Sequence, residues 1–177
     1  PALPRRTLHK PPIAVVVLFI TLSTGLYGSL SAKNIHLVTI PIKTDKLPAG
    51  TELLRVVQVS DMHLGLLNRA SFLAPIIATI KDLKPDLVVA TGDVVDAQIN
   101  HLDGLDAMWQ EIEPPLGKFA ITGNHEFYAG LGQSLDFLQR SGFVMLRNRG
   151  LDVGGVVRLV GIDDEQIRNH TVQETAI

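Results

Sequence analysis

Three apolar runs, each ending in a polar cluster, recur along the chain at nearly constant spacing. They are Leu54–Val59 before Ser60-Asp61-Met62-His63, Leu87–Ala90 before Thr91-Gly92-Asp93, and Phe119–Ile121 before Thr122-Gly123-Asn124-His125. Successive clusters are separated by about thirty residues, the length of one strand–helix–strand unit. We therefore predict three parallel strands in an α/β domain. Because the carboxyl ends of parallel strands meet at one edge of a sheet, the three clusters should lie together.

The segments between and after the clusters carry the remaining secondary-structure signals. Apolar residues recur at helical spacing in Ser71–Leu83 and, more weakly, in Leu102–Ile112, which Pro114-Pro115 closes. Leu131–Arg140 predicts another helix. Three short strands are predicted after it, the last two joined across Gly154-Gly155: Val144–Leu146, Leu151–Val153 and Val156–Ile162.

Residues 1–33 differ from the rest of the chain. Arg5, Arg6 and Lys10 precede residues 11–32, which carry no charge. A helix of that length reaches about 33 Å and can cross a bilayer core of ~30 Å. A retained anchor, a cleaved export signal of twin-arginine type and one helix of a polytopic protein all fit, with a buried core helix as the soluble alternative. In the membrane alternatives the positive residues stay cytoplasmic, and the segment after Lys33 lies outside the cytoplasm.

Residues 34–53 are predicted to connect this leader to the domain, with Ile35–Lys43 as a short strand or an extended segment. All 18 acidic residues follow residue 33, whereas three of the 16 Lys and Arg residues precede it. The body is therefore acidic, and this charge argues against nucleic acid as a partner. The absence of cysteine excludes disulfides, cysteine-ligated zinc and a cysteine nucleophile.

The polar clusters contain the residue types of a divalent-cation site. Asp61 and His63 are two residues apart, so on an extended segment their side chains point to the same side. Asp93 and Asn124 add a carboxylate and an amide oxygen. This mixed oxygen and nitrogen set suits Mn²⁺, Fe²⁺ or Zn²⁺, and two such ions would generate a bridging hydroxide able to attack phosphorus.

Simpler interpretations exist for each residue taken alone. A single Asp or His at a strand end is commonly a turn former or a helix cap. Asp96 could cap the helix predicted after it, and Glu126 could be an ordinary surface residue. The coincidence of three clusters, in order and each after an apolar run, favours the metal site.

The strings SDMH, TGDVVD and TGNHE resemble, in order, the DxH, GDxxD and GNH[DE] motifs of the calcineurin-like metallophosphoesterases. The surrounding sequence from Leu54 to Asp164 is similar to the membrane-attached bacterial branch of that family. The resemblance implies an α/β/β/α sandwich, preceded here by one N-terminal hydrophobic helix. It also implies a role for six residues: Asp61 and His63 bind the first of two metal ions, Asp93 bridges both, Asn124 binds the second, His125 contacts the phosphate and protonates the leaving group, and Asp96 orients His125.

The family completes its metal site with a histidine and a GHxH motif in the second half of the domain, and neither occurs in these 177 residues. We therefore expect residues 54–177 to be the N-terminal part of an incomplete domain that is inactive alone. Ala97 stands where protein Ser/Thr phosphatases carry an arginine, which disfavours phosphoprotein substrates.

The resemblance predicts a membrane-attached hydrolase of phosphomonoesters or phosphodiesters with an extracytoplasmic domain. A lipid-linked or envelope phosphate ester would suit that location. The alternative is a non-catalytic binding scaffold with the same fold.

Overall fold

The computed structural model describes residues 12–31, 34–96 and 99–164, which belong to two compact units, Pro1–Pro41 and Ile42–Ile177. The first unit contains helix α1, Ile13–Ser31, in which no residue is buried. Its mean hydropathy of 2.0 and 19 residues suffice to cross a membrane, although signal sequences share these properties. The predicted N-terminal apolar helix is therefore present, and the basic residues before it lie outside the described residues.

The second unit is built on a four-stranded parallel sheet. Its strands are β1 Val56–Val59, β2 Leu87–Thr91, β3 Lys118–Ile121 and β4 Phe143–Met145, in that spatial order. Every neighbouring pair is parallel. The three predicted parallel strands are confirmed, and β4 adds a fourth at the edge.

Helices connect these strands. They are α2 Ala70–Leu83, a 3₁₀ turn Ile99–His101, α3 Leu105–Gln110, α4 Asn124–Tyr128 and α5 Leu131–Arg140. The helix predicted over Leu102–Ile112 is shorter than expected, because Gly104 has a φ of 77° and separates the 3₁₀ turn from α3. Residues of α2, α3 and α5 share one core with β2, which places these helices on the same face of the sheet.

An antiparallel hairpin follows, formed by β5 Arg149–Val153 and β6 Val157–Gly161. Gly154 and Gly155 have φ values of 58° and 67°, the left-handed pair that a tight hairpin turn requires. The predicted hairpin is therefore confirmed. By contrast, Ile35–Lys43 contains neither strand nor helix.

Both faces of the parallel sheet are covered. Along β2, Val88 and Ala90 join the core beneath the helices, whereas Leu87 faces a smaller core. That second core also contains Phe119 of β3 and Val153 of the hairpin. In the central strands β2 and β3, residues of both alternating sets are buried, which explains why Leu87–Ala90 and Phe119–Ile121 are continuous apolar runs, whereas β1 at the edge alternates exposed and half-buried residues. The layers are helices, parallel sheet and hairpin, an α/β fold with its polar clusters at one sheet edge.

Candidate metal centre

Backbone hydrogen bonds join the first two polar clusters beyond the ends of β1 and β2. The Asp61 N–H donates to the Gly92 carbonyl at 3.2 Å, and the His63 N–H donates to the Asp93 carbonyl at 3.0 Å. Leu64 continues the series by donating to Val94 at 2.8 Å. The two segments therefore keep a fixed register at the edge where their side chains emerge.

Three of the predicted ligand residues have left-handed backbone conformations. The φ values are 53° for Asp61, 45° for His63 and 52° for Asp93. This conformation is uncommon for residues other than glycine and costs about 1–3 kcal/mol at each position. The surrounding hydrogen bonds hold the three residues in it, and the resulting turns bring their side chains together.

Asp61, His63 and Asp93 each offer a ligand atom within 4.8 Å of the other two. Two ligands of one Zn²⁺ ion, each 2.0–2.2 Å from it, lie roughly 3–4 Å apart, so small side-chain rotations would accommodate a cation. With its amide nitrogen facing Asp93, Asn124 donates to the two carboxylate oxygens at 3.1 and 3.2 Å. One imidazole and two carboxylates therefore fit a divalent cation, and Asn124 would join them as an oxygen ligand when its amide is turned so that the oxygen faces Asp93.

The other two predicted site residues are adjacent to this group. His125 Nδ1 lies 3.1 Å from an Asp96 carboxylate oxygen, and the His125 backbone N–H donates to the Asp93 carboxylate at 2.9 Å. The rings of His63 and His125 meet edge to face, with centroids 4.3 Å apart. The structure thus brings all six predicted site residues to one edge of the sheet.

Glu126 is fully buried, so its interpretation as a surface residue is wrong. Its two carboxylate oxygens accept hydrogen bonds from four backbone N–H groups, at 2.7 to 3.1 Å: those of Asp93, Val94, Val95 and Gly123. The side chain therefore clamps the second cluster to the third. Its position three residues after the helix N-cap Gly123 matches the reciprocal half of a capping box, a signal present in the sequence.

Two glycines allow these clusters to approach closely. A Cβ atom on Gly92, whose φ is 101°, would lie 2.8 Å from the Gly123 nitrogen. A Cβ atom on Gly123 would overlap the Asp93 carboxylate. The two glycines preceding Asp93 and Asn124 are therefore required by the packing of the site.

Asp163 is a second buried acid that the sequence motifs did not mark as part of the site. It accepts hydrogen bonds from the Thr122 hydroxyl at 3.0 Å, from the Asn148 amide at 3.1 Å and from the Arg147 guanidinium. Thr122 directly precedes the third cluster, so this network ties the end of β6 to the end of β3. The network therefore fixes the position of Thr122, and with it the start of the third cluster.

The sequence is similar to known proteins over most of its length. Residues 54–174 match the family model for calcineurin-like phosphoesterases. A relative from Aquifex aeolicus, described as an uncharacterized metallophosphoesterase, is 42% identical over 147 residues, covering 83% of this chain and 56% of the relative. YkuE of Bacillus subtilis, described likewise, is 29% identical over 85% of this chain and 56% of its own length.

A vertebrate relative carries a membrane term in its name. The zebrafish "Transmembrane protein with metallophosphoesterase domain" is 33% identical over 87% of this chain and 37% of its own length. The chain thus spans about half or less of the length of these curated relatives.

Proposed function

We propose, since this chain belongs to the calcineurin-like phosphoesterase family, that it contributes the first part of the active site of a metal-dependent hydrolase of phosphomonoesters or phosphodiesters. The observation that carries the proposal is the convergence of Asp61, His63 and Asp93 in left-handed backbone conformations, beside the His125–Asp96 pair. Backbone outliers of this kind are typical of functional sites.

The ligand roles are those that the resemblance to the family implies. Asp61 and His63 would hold one cation, Asp93 would be shared by both cations, and the amide oxygen of Asn124, once turned toward the site, would hold the second. The cations would be two ions of Mn²⁺, Fe²⁺ or Zn²⁺, which would neutralise charge at the phosphate and lower the pKa of an attacking water molecule. Because the family's later histidine motifs are not among these residues, we expect the 177-residue chain to be inactive alone.

His125 and Asp96 form the proton-transfer pair of the proposal. With Nδ1–H donating to Asp96, His125 presents Nε2 to the substrate, and this nitrogen can deliver a proton to the departing oxygen. Asp96 fixes the ring orientation and stabilises the protonated imidazole. The contact between the His125 N–H and Asp93 keeps the acid beside the cation ligands.

Membrane attachment is the second part of the proposal. Helix α1 is apolar and follows basic residues, and a lipid-linked or envelope phosphate ester would be within reach of an anchored, extracytoplasmic domain. A reporter that functions only outside the cytoplasm should be active when it is fused after Lys46. Activity at the same position of a reporter that functions only in the cytoplasm would overturn this topology.

Hydrolysis of bis(p-nitrophenyl) phosphate and p-nitrophenyl phosphate by the full-length gene product, with and without Mn²⁺, tests the activity. Turnover should require the metal and fall at least about a hundredfold in Asp93→Ala, because a bridging ligand is lost. The matched control is Asp152→Ala, which removes a carboxylate that is 72% exposed and should retain activity. Equal activity in both variants would contradict the proposal, and a folded product that binds no metal would favour the non-catalytic scaffold.

A further inference from the structure

A second group of potential metal ligands shares one residue, His63, with the first. Its members are His63, Asp96 and His125. Each residue offers a ligand atom within 4.8 Å of the other two. We propose that this set of two imidazoles and one carboxylate is an alternative binding position, sharing His63 with the first, for nitrogen-preferring divalent cations such as Zn²⁺, Ni²⁺ and Cu²⁺.

The donor types distinguish the two positions. The Asp61, His63 and Asp93 set contains one imidazole among oxygen donors, whereas the His63, Asp96 and His125 set contains two imidazoles. Mn²⁺ favours oxygen ligands, while Zn²⁺, Ni²⁺ and Cu²⁺ favour imidazole and bind more tightly to nitrogen-containing sites in general. Two histidines and a carboxylate are also a known ligand set of zinc enzymes. The second set should therefore favour Zn²⁺, Ni²⁺ and Cu²⁺ over Mn²⁺ more strongly than the first set does.

Backbone contacts keep the three side chains close. The Asp96 N–H donates to the carbonyl of Leu64 at 2.8 Å, which holds residue 96 beside the segment that carries His63. His125 already contacts Asp96 at 3.1 Å and the His63 ring at a centroid distance of 4.3 Å. Since ligands of one zinc ion are roughly 3–4 Å apart, binding requires side-chain shifts of about 1 Å.

Occupation of the second position has a consequence for catalysis, and this consequence rests on the proposed function. His63 is common to both sets, so a cation in the second position removes a ligand from the first. The same cation also occupies His125 and Asp96, which then cannot transfer a proton. Zn²⁺ in excess should therefore inhibit the Mn²⁺-loaded enzyme.

Two reciprocal variants of the 177-residue chain test the site without measuring activity. His125→Ala removes a ligand from the second set alone, and Asp61→Asn removes an exposed ligand from the first set alone. Binding of Cu²⁺ and Mn²⁺ is followed separately by electron paramagnetic resonance. The Cu²⁺ spectrum should show two coupled nitrogens in the wild type and in Asp61→Asn. In His125→Ala it should show one, and the affinity for Cu²⁺ should fall by at least about tenfold. Mn²⁺ should lose affinity in Asp61→Asn and keep it in His125→Ala.

His101→Ala is the control for adventitious imidazole binding, and it should retain the two-nitrogen Cu²⁺ signal. If circular dichroism shows that His125→Ala does not fold, Asp96→Asn replaces it. This variant should lower the affinity for Cu²⁺ by at least about tenfold. A Cu²⁺ spectrum and affinity unchanged by the His125 and Asp96 variants would overturn the second site.

The activity arm uses the Mn²⁺-loaded full-length product. Loss of turnover on Zn²⁺ addition, restored by a zinc-selective chelator, would support inhibition through the second site, and unchanged turnover would refute it. A product with no Mn²⁺-dependent turnover would contradict the proposed function, while the Cu²⁺ result would still decide whether the second site exists.

Discussion

Replacing Glu126 by Gln should destabilise the fold and weaken the metal site together. The carboxylate accepts two N–H groups at each oxygen: Val94 and Val95 at one, Asp93 and Gly123 at the other. In the Gln variant, one oxygen becomes an NH₂ group, so two backbone donors face another donor whichever way the amide is oriented. The substitution preserves side-chain size, so the effect is one of hydrogen bonding rather than packing.

The magnitude follows from the number of donors left unpaired. Each buried N–H without an acceptor costs about 1–3 kcal/mol, which gives a loss of about 4 kcal/mol for the two at the middle of that range. In a chain of this size 1 kcal/mol corresponds to about 2–4 °C, so the melting temperature should fall by about 8–16 °C. The Asp93 segment should also loosen, lowering Mn²⁺ affinity by about tenfold.

Ser134→Ala is the matched control for Glu126→Gln. Ser134 is fully buried and its hydroxyl donates to the Glu126 carbonyl at 3.0 Å, so its removal costs about 1 kcal/mol without touching the carboxylate. Melting of the detergent-solubilised chain is followed by circular dichroism at 222 nm, and Mn²⁺ binding by paramagnetic resonance. A melting temperature for Glu126→Gln within about 2 °C of Ser134→Ala, with equal Mn²⁺ affinity, would refute the clamp.

Three further substitutions address other parts of the molecule. Gly123→Ala should lower Mn²⁺ affinity by about tenfold or more, because the added Cβ overlaps the Asp93 carboxylate. In the control Gly132→Ala the added Cβ has nothing within 4 Å, so Mn²⁺ binding should be unchanged. Burial lowers the pKa of Lys118 from 10.5 to about 8, so between these pH values the unfolded chain binds more protons and stability rises with pH. In denaturant titrations, the free energy of unfolding of the wild type should rise between pH 7.5 and 9.5, and this rise should be about 1–2 kcal/mol smaller in Lys118→Met. An equal rise in both proteins would contradict this. Leu22→Arg should make the free energy of inserting α1 into a membrane less favourable by about 2.5–3.5 kcal/mol, and it should move the chain toward the soluble fraction. Unchanged fractionation would contradict the proposal that α1 enters the membrane.

The sequence predicted the strands and the site edge because both depend on local patterns. Strands buried on two faces appear as uninterrupted apolar runs, and the spacing of the clusters matches one crossover unit. The helix predicted over Leu131–Arg140 has those bounds in the structure. Local pattern also indicated the hairpin, since Gly154 and Gly155 adopt without strain the positive φ values that a two-residue hairpin turn requires.

The role of Glu126 could not be predicted with the same ease, because its partners lie on a different segment. Three of its four donors are about thirty residues earlier in the chain, and their N–H groups converge only when β2 and β3 are paired. Asp163 illustrates the same difficulty, since its contacts with Thr122 and Arg147 join separate strands and loops. The left-handed backbones of Asp61 and His63 are likewise imposed by hydrogen bonds to the neighbouring segment rather than by residue preference alone.

Anomalous diffraction from crystals of the chain soaked in Mn²⁺ tests directly whether this edge of the sheet binds metal. We expect a manganese peak within about 2.0–2.3 Å of ligand atoms from Asp61, His63 and Asp93, and we expect the Asp93→Asn variant to lose it. A peak bound elsewhere, or full occupancy of the same position in Asp93→Asn, would contradict the assignment of this sheet edge as the metal centre.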